Sequence, residues 1–175
     1  EEVFATAAVR LHEMYFENIG GGGTTPGTDF IGTTDNQALE FKINNSRGLR
    51  LEPSATSPNL IAGYGGNFVA SGISGATVGG GGELANGRSN SVAAAFGVIG
   101  GGSGQQIEAL ATNATIAGGL DNTVHYGARL STIGGGGNNT IRTNADYSTI
   151  AGGNGNLIET NADWATISGG FQNKI

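Results

Sequence analysis

A repeat of 17 residues runs through most of the chain and constrains its fold more than any other feature. Three segments near the C-terminus, STIGGGGNNTIRTNADY, STIAGGNGNLIETNADW and ATISGGFQNKI, align without gaps and place Ile133, Ile150 and Ile167 in register. The same step, with one jump of 21, continues towards the N-terminus. The complete first row consists of Ile61, Val78, Ile99, Ile116, Ile133, Ile150 and Ile167. Self-similarity at a fixed period is typical of solenoids, in which each repeat stacks on the next.

A second aliphatic row follows the first by eight residues and indicates a second strand in each repeat. The row consists of Val69, Ile107, Val124, Ile141, Ile158 and Ile175. In the repeat with the longer jump we assign Val92 to this row, because Asn90-Ser91-Val92 repeats the Asn-x-aliphatic pattern. Two strands per repeat and seven first-row positions predict an all-β solenoid of about seven 17-residue coils.

Strand alternation predicts which side chains point into the solenoid. Side chains alternate between the two faces of a strand, so Ser148 and Ile150 should point inward while Tyr147 and Thr149 point outward. In the second strand the same rule places Thr160 inward. The interior is therefore expected to hold aliphatic and small side chains.

Glycine and asparagine are locked to the same period. A glycine follows each first-row aliphatic by two residues, at Gly63, Gly80, Gly101, Gly118, Gly135, Gly152 and Gly169. An amide occupies one position of the repeat, at Asn67, Gln105, Asn122, Asn139, Asn156 and Asn173. A flexible linker would have no such phase, so the glycines indicate positive φ or a close approach of neighbouring backbone. The stacked amides predict a hydrogen-bonded ladder along the solenoid.

The repeat leaves the interior thin, which favours association with sister chains. Each coil can bury two aliphatic side chains at about 1.5–3 kcal/mol apiece, whereas ordering each residue costs about 1–2 kcal/mol. Large side chains form one outward row beside the Gly-rich strand, at Phe96, Leu130, Tyr147 and Trp164. We expect this row in a subunit interface, with stacking of Tyr147 and Trp164 against sugars as the alternative. Three-fold symmetry is the natural hypothesis for the assembly.

The chain divides into three segments. Residues 1–27 are interpreted as an N-terminal arm and Gly-rich linker, residues 28–56 as a β-hairpin cap, and residues 57–175 as the solenoid. The pattern in residues 1–18 fits a helix or a strand equally well. A mobile arm there would be able to pair with another chain.

Alternation in the second segment predicts the hairpin. Leu39, Phe41 and Ile43 fall on one face of a strand, and a turn at Asn44-Asn45-Ser46 leads into a second strand around Leu49 and Leu51. A hairpin at this position would cover the open edge of the first coil, which is the reason to interpret it as a cap.

Composition excludes several function classes. The net charge is −6 with only eight Lys and Arg residues, so neither nucleic acid nor an anionic membrane surface is an expected partner. No hydrophobic run is long enough to insert into a membrane. The chain has no cysteine, which excludes disulfides and thiolate metal sites.

Candidate catalytic or metal-binding groups are few. His12 and His125 are far apart in the sequence, and no Ser-His-Asp or paired-carboxylate pattern accompanies them. Asp146 and Asp163 repeat in TNAD segments and could hold a cation between coils, but a solvated turn is the simpler interpretation. We therefore predict no catalytic residue, no cofactor and no metal site.

Two motifs carry a resemblance to known proteins. The repeats, written (Ser/Ala)-Thr-Ile-(Ala/Gly)-Gly-Gly…Asn-x-Ile, resemble the head repeats of YadA-like trimeric autotransporter adhesins. The segment FIGTTDNQALEFKINNSRGLRLEP is similar to the one that precedes such repeats in large bacterial and phage trimeric fibre proteins. Together they cover residues 28–175. The resemblance implies a trimeric left-handed β-roll, exposure at the cell surface and a role in adhesion, although the 17-residue period is longer than that of the usual head repeat.

The expected function is a non-enzymatic structural and adhesive module of an extracellular trimeric fibre, surface adhesin or virion fibre. Such a module would form a homotrimer and would contact a host-surface protein or glycan. The alternative is a self-polymerising extracellular filament subunit whose N-terminal arm links neighbours end to end. A glycan-binding or ice-binding solenoid is a further alternative, the latter because Thr115, Thr132, Thr149 and Thr166 form a ladder.

Overall fold

A computed structural model describes residue 25 and residues 30–175. The described residues belong to two units, of which the first extends to Asn36 and the second comprises Gln37–Ile175. The interpretation of residues 1–18, and of most of the arm and linker in residues 1–27, falls outside the described residues.

The regular elements of the second unit are all β-strands, joined by turns, which confirms the predicted all-β solenoid. The first sheet contains β1 (Leu39–Ile43), β2 (Ser46–Glu52), β3 (Asn59–Ala62), β5 (Thr77–Val78), β7 (Val98–Ile99), β9 (Thr115–Ile116), β11 (Thr132–Ile133), β13 (Thr149–Ile150) and β15 (Thr166–Ile167). The second sheet contains β4 (Phe68–Val69), β6 (Ser91–Val92), β8 (Gln106–Ile107), β10 (Thr123–Val124), β12 (Thr140–Ile141) and β14 (Leu157–Ile158). The chain alternates between the sheets, and no helix occurs among residues 30–175.

Successive turns stack in parallel register. Ile133 pairs with Ile116 on one side and with Ile150 on the other, and the same pairing connects every neighbouring pair in the first row. The second row stacks likewise, with Val92 between Val69 and Ile107 as assigned. The solenoid has about six turns rather than about seven coils, because the seven strands that β3 begins in the first sheet are joined through only six strands in the second.

The solenoid interior is narrow and contains more alanine than the aliphatic rows predicted. Both rows are buried from Ile61 to Ile167, whereas Ile175, the last predicted member of the second row, is 52% exposed. A further row between the sheets is fully buried, at Ala94, Ala111, Ala128 and Ala145. Ser148 is buried as predicted, whereas the prediction for Thr160 is wrong, since this residue is exposed in the turn that follows β14. A two-residue strand is too short to keep the alternation as far as Thr160.

The long jump in the repeat combines an insertion of six residues in one corner of a single turn with a corner between Val92 and Ile99 that is two residues shorter than its counterparts. Fourteen residues separate Val78 from Val92, whereas eight separate the corresponding residues in the other turns. The loop is closed by an antiparallel bridge between Glu83 and Arg88, and Arg88 also forms an ion pair with Asp121 at 3.2 Å. The insertion therefore leaves the stacking of both sheets unchanged.

Buried amides form a continuous ladder between the sheets. Asn139 illustrates the pattern: its backbone N–H donates to Oδ1 of Asn122 at 2.9 Å, and its own Oδ1 accepts the backbone N–H of Asn156 at 3.0 Å. Its Nδ2 donates to the carbonyls of Gly135 and Gly153. The same ladder runs through Asn67, Asn90, Gln105, Asn122, Asn139, Asn156 and Asn173. Each amide thus joins two turns, and its polar atoms are satisfied despite burial.

The tightest glycines lie one residue later in the repeat than the sequence suggested. Gly118 and Gly152 have ordinary backbone conformations, and a Cβ on either would meet nothing closer than 3.9 Å. Gly135 and Gly169 do have positive φ, at 145° and 137°. At the next position a Cβ on Gly153 would lie 2.0 Å from the carbonyl oxygen of the following turn. Positive φ and this close approach recur at Gly81, Gly102, Gly119, Gly136 and Gly153. In the first turn this position holds Tyr64, and the close approach falls on the predicted Gly63, which has φ of 81°.

A hairpin precedes the first turn, as the alternation predicted. Asn44 and Asn45 have φ of 47° and 59°, which gives the tight turn between β1 and β2. Strand β2 then pairs antiparallel with β3 and so extends the first sheet. The register shifts after Phe41, which indicates a β-bulge and brings Arg47 to the same face as Arg50. From there Arg47 donates to the carbonyls of Gly65 and Asn67 at 2.7 and 2.6 Å.

Candidate functional site

The outward face of the first sheet carries no charged side chain from β1 to β15. In the turns its central row is Leu60, Thr77, Val98, Thr115, Thr132, Thr149 and Thr166. The next outward position holds glycine, alanine or serine, as at Gly134 and Ala151. Small uncharged side chains on short strands leave the backbone of this face accessible to close approach.

The second sheet instead carries a row of charged side chains, which lie just after its strands from β8 onwards; its first strand has an exposed Phe68. The His125 Nδ1 lies 3.0 Å from Glu108, and Glu159 lies 2.6 Å from both Arg142 and Lys174. Hydrogen bonding to Lys174, together with Arg142, lowers the pKa of Glu159. These exposed pairs contribute little stability, but they keep this face hydrated. The two faces of the solenoid therefore differ sharply in polarity.

Four large side chains stand beside the uncharged face, in the turn that enters each first-sheet strand. We call Phe96, Leu130, Tyr147 and Trp164 the outward row. Their relative exposures are 48%, 48%, 45% and 71%, in that order. All four have positive φ, between 55° and 60°. The four residues occupy one position of the repeat, although Asn113 separates Phe96 from Leu130.

Positive φ is an unusual conformation for side chains of this size. The left-handed conformation costs a non-glycine residue about 1–2 kcal/mol. Here it aims the backbone N–H back at the preceding turn: the N–H of Tyr147 donates to the carbonyl of Arg129, and that of Trp164 to the carbonyl of Asp146, both at 2.9 Å. Gly75 and Asn113 occupy the same position in other turns, also with positive φ. The chain could use glycine or asparagine throughout, yet it places large apolar side chains here and leaves them about half exposed.

Two rings of the outward row, Tyr147 and Trp164, stack on each other along the solenoid. The centroids of Tyr147 and Trp164 are 4.1 Å apart and their planes differ by 1°. Each ring therefore covers one face of the other. Trp164 remains 71% exposed, so both packing against a protein surface and stacking of a sugar stay open at this end of the row.

A carboxylate ladder supports the same corner. Oδ1 of Asp146 accepts the backbone N–H of Arg129 at 2.7 Å, and Oδ1 of Asp163 accepts the backbone N–H of Asp146 at 2.8 Å. The guanidinium of Arg129 donates to Oδ2 of Asp146 and holds the pKa of that carboxyl below its usual value. Because the folded-state pKa is lowered, this contribution is present at neutral pH and is lost as the pH falls through that value. The hydrogen bonds give both carboxylates a structural role without a cation.

Metal binding and histidine chemistry have little support among the residues that the structure describes. Among residue 25 and residues 30–175, no group of three or more His, Asp or Glu side chains is placed to hold a metal ion. His12 lies outside the described residues, and His125 pairs with Glu108 on the charged face. The same residues contain no helix that is long and apolar enough to cross a membrane.

A related protein with the same function would be expected to share the outward row and the difference between the two faces. Comparisons with protein-family models, curated proteins and solved structures gave no match. The function must therefore be argued from the geometry alone.

Sequence reasoning grouped the outward row correctly but missed its backbone conformation. The signal was present, since Gly75 and Asn113 occupy the same repeat position and both residue types tolerate positive φ. Sequence reasoning also missed the salt bridge between Arg129 and Asp146. The two residues are 17 positions apart in the chain, and only the stacking of turns makes them neighbours.

Proposed function

We propose that this chain is a structural and adhesive module of an extracellular trimeric fibre, in which three chains pack through the uncharged face of the first sheet. The coil is a left-handed β-roll in this proposal, and the module has no enzymatic activity. The observation that supports this proposal is the difference between the two faces. The face of the first sheet is uncharged and is flanked by half-exposed apolar side chains with positive φ, whereas the second sheet carries exposed ion pairs.

The thin interior supports the same conclusion. Apart from the aliphatic rows, the buried side chains are mainly alanine and amides, so a single chain buries little apolar surface for its length. Sister chains would bury the outward row and the short threonine strands, and the small residues would let three backbones approach closely. Surface charge on the second sheet would then face the solvent and keep the fibre soluble.

In this proposal the hairpin caps the first turn. In each later turn, the backbone carbonyl of the Asn or Gln residue in the ladder accepts a backbone N–H from the preceding turn. The backbone carbonyl of Asn90, for example, accepts the N–H of Phe68. Asn67 is the first member of this ladder, and Arg47 donates to its carbonyl in place of a preceding turn. Strand β2 occupies the corresponding edge of the first sheet. Together they cover both exposed edges of the first turn.

Replacing Arg47 by methionine tests the cap. The variant keeps most of the apolar stem and removes two hydrogen bonds from a charged donor, each worth about 1.5–3 kcal/mol when well formed. Because one of them is exposed, we expect a total loss of about 1–3 kcal/mol in the free energy of unfolding, measured by urea denaturation. Lys42→Met on the same hairpin face is the control, since Lys42 forms only an exposed ion pair with Glu40. Equal effects of the two substitutions would contradict the capping role.

The mass of the particle in solution tests the trimer. The chain has a mass of 17.5 kDa, and light scattering after size exclusion should give roughly three times this value. Leu130→Glu, which places a charge in the outward row, should shift the mass towards the monomer. Arg142→Glu, on the charged face, serves as the matched control and should leave the mass unchanged. A folded monomer for the unmodified chain would refute the proposal.

A further inference from the structure

The hairpin has its apolar and charged sides the opposite way round from the turns that follow it. Across the β2–β3 pair, Arg50 lies opposite the buried Ile61, so Arg50 is on the interior side of the sheet. Leu51 lies opposite Leu60 and is therefore on the outward side. The same alternation places Leu39, Phe41 and Leu49 outward. We call Leu39, Phe41, Leu49 and Leu51 the hairpin face.

Most charged groups on the other side of the hairpin have a partner within the chain, although Nε of Arg50 is buried without a hydrogen-bond partner. Arg50 forms ion pairs with Glu52 at 3.0 Å and with Glu40 at 4.0 Å, and Lys42 lies 3.7 Å from Glu40. These charges follow the interior side of the sheet, where an apolar strand would normally be expected.

The apolar side of the hairpin is partly exposed. Phe41 is 45% exposed and Leu51 is 37% exposed, and Ile43, at the tip of the same strand, is 76% exposed. An antiparallel strand pair normally turns its apolar face towards the core and its polar face towards water. Here the arrangement is reversed, so the surface that could be buried on folding is left outside a single chain. Contiguous exposed apolar patches of this kind mark interaction sites.

The position and width of the hairpin face indicate what covers it. It continues directly into Leu60, Val98 and the threonines of the uncharged face, because β1 and β2 belong to the same sheet. The seven rungs, six of two residues and β3 of four, offer roughly 250 Å² of flat surface, and the longer hairpin strands add about 200 Å². A specific interface buries about 800 Å² per partner. The hairpin face widens the strip at one end and brings it to about half of this area, so neighbouring surface, including the outward row, would have to supply the rest.

We propose that the hairpin face is where sister copies of this chain meet, and that it contributes more to their association than the outward row does. This inference rests on the proposed trimer. A second copy is the occupant that fits, because the face contains no charge to select a partner of opposite sign and runs without interruption into the surface already assigned to sister chains. Three copies related by an axis along the solenoid would bring the same face together at the same height.

A charge substitution tests the contribution of this face. Leu51→Glu should convert the trimer to monomer at a protein concentration where the unmodified chain is fully trimeric, a threefold loss of mass by light scattering. Leu84→Glu introduces the same charge at a leucine that is 77% exposed in the insertion loop, and it should leave the mass unchanged. Circular dichroism of both variants checks that the strands are retained.

Site-specific cross-linking identifies the occupant without relying on a disruptive variant. A benzoylphenylalanine at position 41 of the full chain should, on irradiation, yield covalent species of two and three chain masses. A cross-link confined to one chain and ending in residues 1–29 would overturn the inference, as would the absence of any cross-link in a trimer. In both of these cases the trimer itself would still stand.

The two proposals fail in different ways. A monomeric unmodified chain would remove the proposed function and this inference together. A trimer that survives Leu51→Glu but dissociates with Leu130→Glu would remove only the inference, because the outward row would then account for the contact.

Discussion

Asn139→Ala is expected to lower the free energy of unfolding by about 3–5 kcal/mol. The substitution removes an acceptor from the buried backbone N–H of Asn156 and a donor from the carbonyls of Gly135 and Gly153. A buried polar group left without a partner costs about 1–3 kcal/mol, and here at least two groups lose one. The neighbouring turns cannot close the gap, because their amides already use their own atoms in the same ladder. The measurement is the midpoint and slope of urea denaturation at a fixed protein concentration.

The same substitution at Asn173 is the matched control. Asn173 is exposed, and its side chain donates to Gly169 and to Oδ1 of Asn156 without accepting a backbone N–H in the structure. Its loss should cost less than about 1 kcal/mol. If the two alanine variants proved equally stable, the ladder would not be what joins the turns.

Asn139→Asp separates hydrogen bonding from shape. The introduced carboxyl has nearly the size of the amide, but when ionised it would turn a negative oxygen towards two carbonyl oxygens. When protonated, it could donate to one of them. The variant should therefore be less destabilised at pH 4 than at pH 7, whereas Asn139→Ala should show the same deficit at both values.

The sequence was sufficient for the solenoid because stacking turns a fixed period into direct contact. Once Ile116, Ile133 and Ile150 recur every 17 residues, parallel pairing places them on one another, and the amides follow in the same phase. The assignment of Val92 succeeded for the same reason. Local composition could not have predicted this stacking, since every strand after β3 is only two residues long.

Features set by the backbone between strands were harder to predict. Thr160 was placed inward by extending strand alternation into a corner, where the chain no longer alternates. The reversed hairpin was also missed, because the alternation of Leu39 and Phe41 shows that one face is apolar but not which side of the sheet it occupies. That depends on pairing with β3, which is a tertiary contact.

Gly153→Ala should be far more damaging than Gly152→Ala, although the two residues are neighbours in the same glycine run. Gly153 has φ of 90°, and a Cβ there would lie 2.0 Å from the carbonyl oxygen of Gly170 in the next turn. The backbone conformation costs about 1–2 kcal/mol for alanine, and the clash about 1–3 kcal/mol more. We therefore expect a loss of about 2–4 kcal/mol in the free energy of unfolding.

Gly152 provides the control one residue away. Its φ lies outside the positive region, and a Cβ there would meet nothing within 4 Å in a single chain. Gly152→Ala should change stability by no more than about 0.5 kcal/mol in the isolated chain. Comparable losses from both variants, measured by urea denaturation, would mean that the turns are not spaced by carbonyl-to-glycine contact. A loss confined to Gly153→Ala would identify the later glycine of each pair as the one that lets successive turns stack at strand spacing.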